Sequence, residues 1–212
     1  MRKITVEYQL YKYNELDEKT KEKVKNEISE NIIEDRFYFL KDDLLEYLKE
    51  NHNISDCKIE YDFSYCQGDG CCFYDINLLN YFNIKNKKND MNSFEKYIIN
   101  NYSQNDIELI LEYLNSDYCL KLYKSVYNNY SHKYTCDIDF EFYYDDNKEL
   151  ENKINELIEK LADDLQKNVY YKICDEMEKI GYDCYNVIDE EIENYMNDYG
   201  IEFYKNGDFY YN

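Results

Sequence analysis

The chain has 212 residues, with 46 Asp and Glu against 25 Lys and Arg and a formal net charge of -21 at pH 7. A field of that sign repels nucleic acid and anionic membranes and attracts basic surfaces. Hydrophobic residues at 44% and aromatics at 18% exclude a disordered acidic tail, and no apolar run approaches the roughly 18 residues that would span a membrane.

The remaining composition follows an AT-rich codon bias: no Pro, no Trp, a single Ala (Ala162), two Arg (Arg2 and Arg36) and 28 Tyr. That bias favours Lys over Glu, so the acidic excess has another cause. Tyr serves here as a large apolar group with a wet end. The opening MRKITVEYQLYKY has no apolar signal region and no cleavage site. A cytoplasmic protein with reduced thiols is expected, in a host cell.

Residues 3–12 alternate, with Ile4, Val6, Tyr8 and Leu10 on one side, and predict a strand. Asp17 caps a helix to about residue 33 that carries Val24, Ile28 and Ile32. A second helix is expected over about 37–50, with Leu40, Leu44 and Leu48. Residues 57–65 alternate, Cys57, Ile59, Tyr61, Phe63 and Tyr65 inward. They turn at Cys66-Gln67-Gly68-Asp69-Gly70 and return over 71–78 as a hairpin. Asn83 to Asn92 reads as a loop. Helices follow at 93–101 and 104–115, the second capped by Ser103 or Asn105. Strands follow at 118–127 and 133–144. The longest helix, about 147–180, opens at Asp145 or Asp146 and ends at Gly181 as its C′ residue. A short helix over about 189–198 precedes a hairpin whose Asn206-Gly207 reads as a type I′ turn.

This order predicts an α+β fold: one domain over 1–212, with a loop insertion at about 83–92, built on an antiparallel sheet with helices packed on one face. Alternation puts the polar strand residues on the other, open face. Those residues are Glu7, Glu60, Asp62, Asp137, Asp139 and Glu141, so that face is expected to be acidic.

The eight cysteines do not suit a disulfide framework, and Cys66-x4-Cys71-Cys72 is not a zinc-ligand spacing. Buried free thiols are expected, and no cofactor. The Gln67-Gly68-Asp69-Gly70 turn is the sharpest local signal. It serves either as a partner loop presenting Gln67 and Asp69 or as a hairpin needing two glycines for its backbone. No phosphate loop and no EF-hand spacing is present. His52 and His132 lie in no catalytic motif, and neither points to a nucleophile.

Residues Phe63 to Phe73 (FSYCQGDGCCF) resemble a hairpin motif of small uncharacterised phage and mobile-element proteins. That motif has an aromatic strand, then Ser-Gln-Gly-Asp-Gly-Ala, then an aromatic. Tyr13-Asn14-Glu15-Leu16-Asp17 before a Lys/Glu helix, and Asp189 to Gly207 with Glu202-Phe203-x3-Gly207, are similar too. Cys66 and Cys71 stand where those proteins tend to have Ser and Ala, which argues against thiol chemistry there. The resemblance implies a source and a fold, with no established activity.

The expectation is a non-enzymatic, anti-CRISPR-like inhibitor. It binds a basic nucleic-acid-binding host protein, such as a defence nuclease, through carboxylates that stand in for phosphates. The contact residues expected are Glu7, Glu60, Asp62, Gln67, Asp69, Asp137, Asp139 and Glu141, with no direct nucleic-acid or membrane binding. Two alternatives stand beside it. One is a metal- or thiol-dependent enzyme on the acidic face or on Cys66, Cys71 and Cys72. The other is a regulator of the phage's own machinery.

Overall fold

A computed structural model describes residues 6–77, 91–114, 119–125, 129–141 and 148–210. The chain is α+β, with long helices and small antiparallel sheets. The sequence lacks a linker and reads as one domain, but the fold divides into two compact units, Met1–Leu40 with Asp183–Asn212, and Lys41–Tyr182. Both boundaries fall at or inside helices, so no change of composition marks them.

In the first unit, residues 6–10 form no regular strand; only Tyr11 makes a bridge, to Phe203. Val6 and Tyr8 are exposed, so the alternation there faces water and no sheet forms on it. Ile4 lies outside the described residues. Asp17 caps helix α1, its Oδ1 accepting the Thr20 N–H at 3.0 Å. The helix runs unbroken over Glu18–His52, where two helices are expected from the sequence. The apolar step of four residues from Val24 to Leu48 meets Arg36 in its middle. Arg36 continues the helix because its charge is satisfied. One guanidinium nitrogen donates to the carbonyls of Asn186 at 3.0 Å and Cys184 at 3.3 Å, and another pairs with Glu191.

Val24, Ile28 and Ile32 form the first core with Leu16, Ile192, Met196 and Phe203. Ile192 and Met196 come from α6, Asp189–Asp198, as the sequence predicts. Gly200, at φ 58°, ends that helix in a Schellman motif: Ile201 N–H reaches the Met196 carbonyl and Gly200 N–H the Asn197 carbonyl. The closing hairpin pairs β6, Glu202–Phe203, with β7, Phe209–Tyr210. Its turn is not type I′. Among residues 204–208 only Gly207 has positive φ, and Gly207 N–H returns to the Tyr204 carbonyl, a three-residue loop closed by a glycine bulge.

The second unit holds two further sheets. β1, Lys58–Asp62, pairs with β2, Gly70–Tyr74, in the register Ile59↔Phe73 and Glu60↔Cys72. Asp75, at φ 67°, then turns the chain into β3, Ile76–Asn77, which pairs with β4, Cys119–Lys124. β4 pairs with β5, Cys136–Glu141. Helices α2, Ser93–Asn101, and α3, Gln104–Leu114, match the predicted spans, and Ser103 Oγ accepts the Asp106 N–H as the α3 cap. The predicted loop at 83–90 and the helix start at Asp145 or Asp146 lie outside the described residues.

The long C-terminal helix divides into α4, Lys148–Leu165, a π turn over Gln166–Tyr170, and α5, Tyr171–Asp183. Gln166 serves the outer edge of β5: its Oε1 accepts the Ile138 N–H at 3.3 Å and its Nε2 donates to the Cys136 carbonyl at 2.9 Å. Among the described residues no strand pairs with that edge, and a side-chain amide serves it instead. Gly181 is not the helix C′ residue. It is buried inside α5, with the Phe63 ring against it.

Candidate functional site

The hairpin end between β1 and β2 is a turn that its own carboxylates hold closed. Asp62 Oδ1 accepts the Ser64 N–H at 3.0 Å and the Ser64 hydroxyl at 2.6 Å. These bonds hold the Asp62 carboxyl below its ordinary range. Asp69 Oδ2 accepts the Cys66 N–H at 2.7 Å, and Oδ1 accepts the Cys66 thiol at 3.0 Å. Asp69 raises the Cys66 thiol above its ordinary value. Asp69 therefore works inward as a turn cap, while Gln67 is exposed at the tip. Tyr65, at φ 58° and 71% exposed, is turned outward rather than inward.

Both glycines of the motif meet side chains from elsewhere in the unit. A Cβ on Gly68, at φ 102°, would lie 2.1 Å from the Tyr130 ring. One on Gly70, at φ 145°, would lie 2.8 Å from Glu178 Oε1 and 2.9 Å from His132 Cβ. The two glycines thus answer to backbone conformation and to close approach at once. His132 stacks with Tyr130 at 6.0 Å and meets Tyr134 edge-on at 5.7 Å. Lys133 pairs with Asp175 and lies 5.3 Å over the Tyr134 ring. Burial pushes the Glu178 carboxyl above its ordinary value, with Lys133 opposing. The hairpin end, the 130–134 segment and α5 thus assemble a patch of Tyr65, Tyr130, His132, Tyr134, Asp175 and Glu178. Sequence reading misses His132, Tyr130 and Glu178, because nothing local marks residues that gather about two glycines 60 to 110 positions away.

The predicted acidic face does not lie on one sheet. Glu7 is exposed on a segment without strand pairing. Glu60 is on β1, where the face it shares with Cys72 is covered by the second sheet. Lys124 and the Tyr74 hydroxyl both donate to Glu60, and Thr135 Oγ1 lies 4.0 Å from Cys72 Sγ. Burial raises the Glu60 carboxyl, but Lys124 and Tyr74 outweigh it and hold it below its ordinary value. Asp137 on β5 is exposed and accepts from Gln166 Nε2 at 3.3 Å. Asp139 stands opposite Lys121 in the β4–β5 register and Glu141 opposite Cys119; their side chains lie outside the described residues. Strand alternation is locally correct, but the strands belong to separate sheets, and lysines on β4 enter the acidic positions.

Cys66, Cys71 and Cys72 form no cluster. Cys66 is exposed in the turn, whereas Cys71 and Cys72 lie in a strand buried on both faces. Burial pushes the Cys71 thiol up, and Cys136 does the same to Cys72. Among the described residues, Asp62, Cys66 and Asp69 are the group that brings three potential metal ligands together, within 4.8 Å of one another. Hard cations favour the two carboxylates, and each is already engaged by the turn.

A family model described as "Domain of unknown function (DUF8835)" matches residues 41–183, which coincide within one residue with the second compact unit. No curated protein and no solved structure matches the chain.

Proposed function

We propose that this chain, which belongs to the DUF8835 family, works by binding a basic partner protein. The observation that carries this reading is the uncompensated charge. Six described cations are held in ion pairs here: Lys23 with Asp208, Lys25 with Asp189, Lys58 with Asp75, Lys133 with Asp175, Lys167 with Asp163 and Arg36 with Glu191. Each pair removes one charge of each sign, so the net -21 remains for the surface to present. Such a field raises the encounter rate with a basic surface and rejects phosphate polymers.

The partner of this chemistry is a nucleic-acid-binding protein, a defence nuclease for instance, whose channel is lined with Lys and Arg. Carboxylates then occupy positions built for phosphates. Exposed aromatics beside carboxylates suit guanidinium groups, which stack on rings and pair with acids. Tyr65 is exposed at the hairpin end, and Tyr134 lies under Lys133, which pairs with Asp175.

The test is a titration of labelled protein against basic nucleases, CRISPR effectors among them, at about 0.05 to 0.5 M salt, where screening shortens steeply. Affinity that falls at least tenfold over that range, with single-stranded DNA competing, supports the reading. No binding at the lowest salt, or binding indifferent to salt, overturns it.

A further inference from the structure

Away from the hairpin end, three helices bring a serine, a histidine and a glutamate into one hydrogen-bonded line. His52 is the last residue of α1, Ser93 the first of α2, and Glu176 lies in α5. His52 Nδ1 is 2.9 Å from Ser93 Oγ. On the other side of the ring, Nε2 is 3.3 Å from Glu176 Oε2 and 3.1 Å from the Tyr47 hydroxyl oxygen. Tyr47 donates its own proton to Glu176 at 2.5 Å.

These contacts favour one tautomer. When Tyr47 donates its hydrogen to Glu176, Nε2 faces two oxygens and is the nitrogen placed to carry the ring proton. Nδ1 then presents its lone pair to the Ser93 hydroxyl. The polarity is Ser O–H to His, and His N–H to carboxylate, the arrangement of a serine activated by a general base with an orienting acid behind it.

Ser93 stands directly behind a closed helix cap. Asn92 and Glu95 close a capping box at the start of α2: Asn92 Oδ1 accepts the Glu95 N–H at 2.9 Å, and Glu95 Oε2 accepts the Asn92 N–H at 2.8 Å. The amides of Ser93 and Phe94 precede Glu95 in the first turn, where N–H groups have no intrahelical acceptor. Ser93 is half-buried and Glu176 is exposed, so the line reaches the surface.

We infer that Ser93 is a nucleophile, activated by His52 and positioned through Glu176, that takes an acyl group from an ester. Ser93 Oγ bonds to the ester carbonyl carbon and its proton passes to His52 Nδ1. The carbon–oxygen bond to the alcohol breaks, and the departing oxygen takes that proton from His52. The products are an acyl-Ser93 ester and a free alcohol. Water repeats the sequence to release the acid. This inference rests on residues separate from the hairpin end and does not depend on the binding partner.

The probe is an alkyl fluorophosphonate applied to the full chain, since it spares the exposed Cys66 thiol. Labelling is read by intact mass and peptide mapping. A single label on Ser93 is expected, absent in Ser93→Ala and slowed about 100-fold in His52→Gln, the scale of a lost general base. His52 faces Glu176 and Tyr47 on one side and Ser93 on the other, with Lys96 also felt. In Glu176→Gln the rate–pH midpoint moves to lower pH, because the carboxylate favours the protonated ring; a merely structural glutamate leaves the midpoint in place. Hydrolysis of p-nitrophenyl acetate by a Cys66→Ser variant, lost on adding Ser93→Ala, is the second readout. Absence of label on Ser93 in the folded wild-type chain, or equal labelling of Ser93→Ala, overturns the inference.

Discussion

The Phe63 ring occupies the space where a side chain on Gly181 would begin: a Cβ there would lie 2.2 Å from two ring carbons. Phe63 follows β1 directly, and Gly181 lies in the last turn of α5, so this contact sets how closely helix and hairpin approach. Gly181→Ala is favourable by about 1 kcal/mol on helix propensity, but overpacking costs about 1–3 kcal/mol. The variant should melt lower than wild type, and combining it with Phe63→Leu should recover part of the loss, which a double-mutant cycle by thermal denaturation measures.

Cys66 should be the fast-reacting thiol among the described cysteines. Among the described cysteines, Cys71, Cys72, Cys136, Cys174 and Cys184 are buried, and burial pushes the Cys57 thiol up to about 11. Asp69 raises the Cys66 thiol, first by accepting its proton. Asp69→Asn keeps an oxygen for the Cys66 N–H and removes the charge. Its reaction with Ellman's reagent near pH 8 should be several-fold faster than wild type, with the difference closing at high pH, where both thiols are ionised. Equal rates at pH 8 would show that the contact does not form.

Two glutamates should show opposite pH signatures. Glu60 has a folded value lowered from 4.5, so its contribution is present above that value and lost as pH falls through the folded one. Glu178 has a folded value raised from 4.5, so its contribution is present below 4.5 and lost as pH rises through the folded one. Glu60→Gln should lower the melting temperature at pH 7 and lose that effect in acid. Glu178→Gln should raise it at pH 7 and leave it unchanged below about pH 4. Melting curves from pH 3 to 8 check both signs.

Arg36 should be intolerant of lysine. Its planar fork reaches the carbonyls of Cys184 and Asn186 together with Glu191, and an ammonium cannot reproduce that geometry. Arg36→Lys should cost about 1–3 kcal/mol, the scale of leaving polar groups unpaired, and should expose the segment after Asp183 to protease. Limited proteolysis followed by mass mapping reads it directly.

Much of the local structure is legible in the sequence, because period and capping chemistry act within a few residues. Asp17, Ser103, Asn206-Gly207 and the QGDG turn all mark boundaries close to where the chain bends. Cys136, Asp137 and Ile138 alternate in burial as their pattern predicts. Two local readings fail for a reason that lies outside their segments. The break expected near residue 35 disappears because Arg36 finds carbonyl partners about 150 positions away. Gly181, a stop signal by position, is instead a clearance for Phe63.

The acidic positions and the chemistry divide in the same way. Net charge, and which strand residues share a side, follow from the order of residues alone, since side chains alternate whatever the neighbours are. The separation of the strands into small sheets depends on folding, because the turn at Asp75 carries the chain from β2 to a different partner. Folding alone set Lys124 and Tyr74 on Glu60, and His132 and Glu178 against Gly70. It alone aligned Ser93, His52 and Glu176, which stand far apart in sequence and meet where three helices converge.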